Sequence, residues 1–147
     1  MLGAFLYGKM ITFKDNSANI KALIEQAVDR ALERIGLEAE GNAVDKITDN
    51  DSVDTGNLRN SITHKVDAAA DKVYVGTDVE YAAYVELGTG IHAENGGRPT
   101  PWVYQDANGD WHYTHGQKPK PYLRPAAKDH KQTYANILED ELKQALK

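Results

Sequence analysis

The stretch SANIKALIEQAVDRALERIGLEAE, Ser17–Glu40, decides the fold class. Ile20, Leu23, Ile24, Ala27, Ala31, Leu32 and Ile35 recur at three- and four-residue spacing, while Lys21, Glu25, Asp29, Arg30, Glu33 and Arg34 fill the other faces. That is the period of an amphipathic α-helix, in which residues three or four apart stack on one side. Asn16 or Ser17 can cap its first turn, and Gly41 stands where the helix is expected to stop. Gly36 is a weak point near that end, costing about 1 kcal/mol relative to alanine. At 1.5 Å per residue the helix is about 36 Å long. A domain of this size has a radius of gyration near 15 Å, so such a helix crosses it from end to end.

Beyond the helix, residues 42–57 are polar and turn-rich, and Asn42–Ser52 reads as a mobile loop that a protease would cut first. Leu58–Val66 and Lys72–Thr77 then read as two short strands joined by Ala68–Asp71, with Ile62, His64 and Val66 on one face and Val73 and Val75 on one face of the partner. Gly76 ends the second strand. Tyr81–Leu87 reads as a short helix stopped by Gly88. Trp102-Val103-Tyr104 and Trp111-His112-Tyr113 flank Asn108-Gly109, a strong hairpin signal. Trp102 with Tyr104, and Trp111 with Tyr113, each lie on one face of their strand; if both pairs face the same side, they form one aromatic patch. Lys118–Pro125 is held extended by its prolines, and Pro125 opens a closing helix to about Ala145 along Ala127, His130, Tyr134, Ile137, Leu138 and Leu142.

These elements fit one α+β domain over residues 1–147: a long N-terminal helix and a C-terminal helix on a small, mostly antiparallel sheet. Residues 1–13 form a short N-terminal extension, with Met10 an alternative start, and residues 90–117 an inserted loop and aromatic hairpin. Gly56 and Gly88, at the ends of elements, are expected to tolerate a side chain less well than Gly97, within a loop.

Composition narrows the function classes. The chain has no cysteine, which excludes disulfides, thiolate catalysis and Cys-ligated metals. Of its net charge of −5, the excess acid sits between Glu38 and Asp54; outside that segment acids and bases balance. No basic stripe of the density that nucleic-acid binding needs is present. Met1–Phe13 is apolar but too short to span a bilayer and lacks the marks of a secretory signal, so a soluble, intracellular chain is expected.

Asp54-Thr55-Gly56 is the sharpest catalytic-looking string, since homodimeric aspartic proteases pair one such Asp from each subunit. There the triplet ends a buried apolar strand; here Asp49-Asn50-Asp51-Ser52 precedes it. A turn in which Asp54 or Thr55 bonds nearby amides and Gly56 takes a left-handed conformation is the structural alternative. His64, His92, His112, His115 and His130 are scattered, with no carboxylate spacing that would make a metal site; His64 and His130 are assigned to packing. Gly88-Thr89-Gly90 lacks the context of a nucleotide loop. No active site, cofactor or metal is expected. Lys118, Lys120, Arg124 and Lys128 form a segment without acids, open to solvent, to an acidic protein or to phosphate.

Four blocks in order carry a family resemblance: Val53–Ile62 (VDTGNLRNSI), Val73–Thr77 (VYVGT), Tyr81–Thr89 (YAAYVELGT) and Pro121–Ala126 (PYLRPA). Together they resemble the tail-completion (head–tail joining, or neck) proteins of long-tailed bacteriophages. The resemblance implies a non-enzymatic structural virion protein that forms a ring between capsid portal and tail tube, with DNA passing through and neck and tail proteins as neighbours. It implies assembly in the host cytoplasm and no membrane. By the same analogy the glycine turns at Gly56 and Gly88 and Arg124-Pro125 hold the fold, within a structural motif of Asp54, Thr55, Gly56, Leu58, Arg59, Gly76, Tyr81, Glu86, Gly88, Arg124 and Pro125. From the elements themselves, a short helix beside the sheet is expected to bring Glu86 to Arg59 or Arg124 as an ion pair. Trp102, Tyr104, Trp111, Tyr113, Lys118 and Lys120 are the candidate interface. An aspartic-protease-like enzyme and a soluble adaptor for an acidic protein remain the alternative readings.

Overall fold

Ala27, Ala31, Ile35, Ala39, Ala43 and Ile47 stand four residues apart on one helix, α1 (Ser17–Asp49), and all but Ile35 are buried. Small side chains along this seam let other elements approach closely, and they decide how far the helix runs. The computed structural model describes residues 2–6, 9–50 and 56–147. Before α1 comes an antiparallel ribbon of β1 (Leu2–Leu6) and β2 (Lys9–Phe13), pairing Leu2 with Phe13 and Leu6 with Lys9. After it follow α2 (Asn57–Ser61), the ribbon of β3 (Thr63–Asp67) and β4 (Lys72–Gly76), α3 (Ala82–Leu87), the ribbon of β5 (Trp102–Gln105) and β6 (Trp111–Thr114), α4 (Leu123–Lys128) and α5 (Lys131–Ala145). The α+β class holds, with the strands distributed over separate two-stranded ribbons.

Several boundaries differ from expectation, each for a physical reason. The helix does not stop at Gly41 but continues through residues taken as a mobile loop, reaching 33 residues and about 50 Å. Gly41 costs about 1 kcal/mol there. Against that, Ala43 and Ile47 are fully buried in a cluster with Leu58, Ala82, Tyr122 and Ala126, and one isoleucine side chain contributes roughly 1.5–3 kcal/mol when buried. Residues 42–49 are therefore no site for early proteolysis; Asp51 and Ser52 lie outside the described residues. At the other end neither Asn16 nor Ser17 caps with its side chain. The Asp15 carboxylate instead accepts from the Ser17 amide at 2.9 Å.

The segment Leu58–Ser61 belongs to α2 and not to a strand, and Leu58 faces the core from it. The β3–β4 pairing sets His64 opposite Val75 and Val66 opposite Val73. These four share the face that packs on α1, as the alternation implied. The closing helix is two helices, broken after Lys128. Across the break the Tyr134 hydroxyl donates to the Ala126 carbonyl (2.6 Å) and accepts from Asn42 Nδ2 (3.0 Å), tying the joint to α1. Pro125 lies within the first turn of α4, where a missing N–H breaks no intrahelical bond. Helix α5 runs antiparallel to α1: Tyr134 lies by Asn42, and Glu141 takes Arg34 at 2.8 Å and Arg30 at 3.0 Å.

Gly36 has a specific use. A Cβ there would stand 2.6 Å from Cγ of the His64 ring and closer still to its Cδ2. The ring lies on the bare helix backbone, with Nδ1 at 2.8 Å from Glu40 and Nε2 at 3.1 Å from Glu33. The hydrogen bond to Glu40, then that to Glu33, raises the His64 pKa against the opposing effect of burial.

Candidate docking surface

Helix α3 supplies the residue that organises the C-terminal half. Glu86, only 7% exposed, aims its carboxylate at the start of α4, where the amides have no intrahelical partners. It accepts from the backbone N–H of Tyr122 (2.7 Å), Leu123 (3.0 Å) and Arg124 (3.2 Å), and from Arg124 Nε at 2.8 Å. Burial pushes this carboxyl up. The backbone amides of Tyr122 and Leu123 and the Arg124 guanidinium outweigh that, so it stays below the usual carboxylate range. Of the two partners considered for Glu86, Arg124 is the one in place. The same guanidinium bonds Glu94 through Nη1 (2.7 Å) and Nη2 (3.0 Å), a partner the sequence did not point to. Arg124 is thus neutralised within the chain, which removes one charge from the basic segment proposed to meet an acidic protein.

The segment 90–117, read from sequence as an insert, has closely packed ends that form a neck. Thr89 N–H donates to the Gln117 carbonyl (2.9 Å), Ile91 N–H to that of His115 (3.0 Å), and Gln117 N–H to Thr89 Oγ1 (2.8 Å). A Cβ on Gly88, at φ +79°, would meet the Gln117 and His92 carbonyl oxygens at 2.9 Å. Gly97 is no freer: a Cβ there would collide with the Gly90 carbonyl oxygen. Gly56, at φ +72°, has among the described residues only Asn60 Nδ2 nearby, at 3.6 Å. The expected ranking of Gly56 above Gly97 is therefore reversed on steric grounds.

From this neck the β5–β6 hairpin projects with its own internal support. Asp106 accepts from the amides of Asn108 and Asp110 (both 2.9 Å) and pairs with His112 Nε2 at 2.8 Å. His112, then the Asp110 amide, holds the Asp106 carboxyl below its ordinary value. The register sets Tyr104 opposite His112 and Gln105 opposite Trp111. Opposed residues point to the same side, so Trp102 and Tyr104 share one face with His112 and Thr114, while Trp111 and Tyr113 share the other with Val103 and Gln105. The single aromatic patch is thus two faces, because the turn between Gln105 and Trp111 has five residues. Arg98 lies over the Trp102 ring at 5.7 Å, and Tyr104 stacks on His112. Both faces remain open: Tyr104 is 47%, Trp111 70% and Tyr113 67% exposed.

The remaining sequence candidates are dispersed. Asp54 and Thr55 lie outside the described residues. Gly56 leads directly into helix α2. Arg59 is on α2, half-buried, Gly76 ends β4, and Tyr81 precedes α3 at 41% exposure. Lys118 is exposed, and the Lys120 amide ties the strap after the hairpin to the Val85 carbonyl at 2.8 Å. Tyr122, 1% exposed, carries a hydroxyl with no hydrogen-bond partner, and burial pushes its pKa up to about 12. Among the described residues no group of three His, Asp or Glu side chains is placed to hold a metal ion, and no helix is long and apolar enough to cross a membrane. The His64 clamp, Glu94 and the Arg30–Arg34–Glu141 cluster went unforeseen. A glycine inside a helical pattern, Gly36, was the one signal that could have indicated a close approach.

With this geometry in view, comparison with known proteins is informative on one count. The family model for bacteriophage HK97-gp10-like tail components matches residues 11–88, from the N-terminal ribbon to the end of α3. No curated protein and no solved structure matches the chain.

Proposed function

The chain belongs to the bacteriophage HK97-gp10-like family of tail components, and from that premise we propose that it completes the tail at the head–tail interface. As a tail component it is a structural part of the virion. In the proposed role it self-assembles into a ring, docks to neighbouring neck and tail proteins, and leaves an opening through which DNA passes. Assembly takes place in the host cytoplasm.

The β5–β6 hairpin is the observation that carries this reading. A two-stranded ribbon is marginal alone and gains its stability from what it packs against. This one exposes large aromatic side chains on both faces from a rigid neck, an arrangement suited to burial between other subunits. Particles made without the chain test the proposal by negative-stain microscopy. DNA-filled heads and separate tails that join once the chain is supplied are the expected result. Fully joined virions formed in its absence would overturn it.

A further inference from the structure

His64 makes two contacts that a neutral imidazole cannot satisfy together. Its Nδ1 lies 2.8 Å from Glu40 Oε1 and its Nε2 3.1 Å from Glu33 Oε2, and both partners are carboxylates, which accept and do not donate. A neutral ring carries one N–H, so its other nitrogen would turn a lone pair on a carboxylate oxygen. The imidazolium donates to both. The ring is held where it stands, because its Cδ2 and Cγ occupy the space that a Cβ on Gly36 would fill. The charged groups that face it are Glu33 and Glu40 of α1. Arg30 and Arg34 on the same helix are taken by Glu141 of α5, and the exposed Lys65 and Lys72, with Asp67, lie by alternation on the other face of the β3–β4 ribbon.

We infer that this cluster is a proton-operated clamp between the β3–β4 ribbon and α1: the imidazolium closes it on both carboxylates, and loss of the Nε2 proton frees Glu33 while Nδ1–H stays on Glu40. The two carboxylates differ in what release costs them. Glu33 is 63% exposed and turns into water readily, whereas Glu40 is 24% exposed and holds the shorter bond. The rest of the ribbon's grip on α1 is modest, since Val66, Val73 and Val75 are half-buried. One lost anchor is therefore felt by the whole ribbon. The hydrogen bond to Glu40, then that to Glu33, raises the His64 pKa above 6.5, so the clamp is fully closed below that value and opens as pH rises through the folded one. The clamp lies within one chain and does not rest on the assembly proposed above.

Heteronuclear NMR of the full-length chain from about pH 5.5 to 9 reads ring and ribbon together. The expected ring is protonated on both nitrogens past pH 6.5 and, once neutral, keeps its proton on Nδ1. Over the same range the exchange protection of the β3 and β4 amides, taken as a ratio to that of the α5 amides, should fall roughly fivefold, the equivalent of one exposed ion pair. Glu33→Gln changes an exposed position and supplies an amide that accepts from a ring N–H or donates to its lone pair. In that variant both sides stay closed in either protonation state, so the fall in protection should vanish and the His64 pKa should drop. A neutral wild-type ring protonated on Nε2, a His64 pKa at or below 6.5, or ribbon protection that stays level with pH would overturn the clamp. So would an equal fall in Glu33→Gln, which would place the titrating group elsewhere.

Discussion

Replacing Gly36 with alanine should destabilise this protein, although the same exchange in an open helix stabilises it. Alanine gains about 1 kcal/mol of helix propensity over glycine. Its Cβ, however, would stand 2.6 Å from Cγ and 2.8 Å from Nε2 of the His64 ring, well inside the 3.5–4 Å of an unstrained contact. The ring must withdraw, and with it go the bonds to Glu40 at 2.8 Å and Glu33 at 3.1 Å. A hydrogen bond to a charged group contributes about 1.5–3 kcal/mol. The Glu33 side chain is 63% exposed, so its share falls below 1 kcal/mol, roughly that of a surface pair. A loss of about 2–3 kcal/mol less the propensity gain leaves a net cost of about 1–2 kcal/mol. In a His64→Ala background the three atoms nearest to the Cβ are gone, and the exchange should stabilise by up to about 1 kcal/mol. The pH dependence follows from the raised His64 pKa. The contribution of the charged ring is complete below its unfolded value of 6.5 and fades as pH rises through the higher folded value. The Gly36→Ala penalty should therefore be larger at pH 6 than at pH 9. Urea denaturation of both single variants and the double variant at the two pH values measures all of this. A higher midpoint for Gly36→Ala in the wild-type background, or the same sign in both backgrounds, would refute the reasoning.

Glu86→Ala leaves three amides at the start of α4 and the Arg124 guanidinium short of an acceptor, and should cost about 3 kcal/mol, at the low end for a broken buried pair because Arg124 is 40% exposed. Since the Glu86 carboxyl is held below its ordinary value of 4.5, its stabilisation is present above pH 4.5 and lost as pH falls through the folded value; acid unfolding of wild type and Glu86→Gln, followed by circular dichroism, should differ there. Tyr122→Phe removes a buried hydroxyl that bonds nothing, so the melting midpoint should hold or rise, by up to about 1 kcal/mol in stability. Gly97→Val should lower the melting midpoint more than Gly56→Val, because the first collides with backbone and the second, among the described residues, meets strain at positive φ but no close contact.

How much was legible from residues alone depends on whether the deciding contact is local. The helical period from Ser17, the turn chemistry around Asn108-Gly109 and the alternation that places His64, Val66, Val73 and Val75 on one face are set by near neighbours, and they stand in the structure. The end of α1 was misplaced because Gly41 is a local stop signal, while the burial of Ala43 and Ile47 against Leu58 and Tyr122 is not local. The two hairpin faces turned on counting the turn residues between Gln105 and Trp111, which composition does not reveal. Glu86 could be named as a partner for an arginine. That its carboxylate would also cap α4, with Glu94 closing on the same guanidinium, required α3, α4 and the loop that carries Glu94 to be brought together. Gly36 and His64 make the same point in reverse, 28 positions apart in numbering. Helical and strand periods follow from backbone geometry that each residue carries with it, whereas a shared acceptor or a ring laid on a glycine exists only after distant segments have packed.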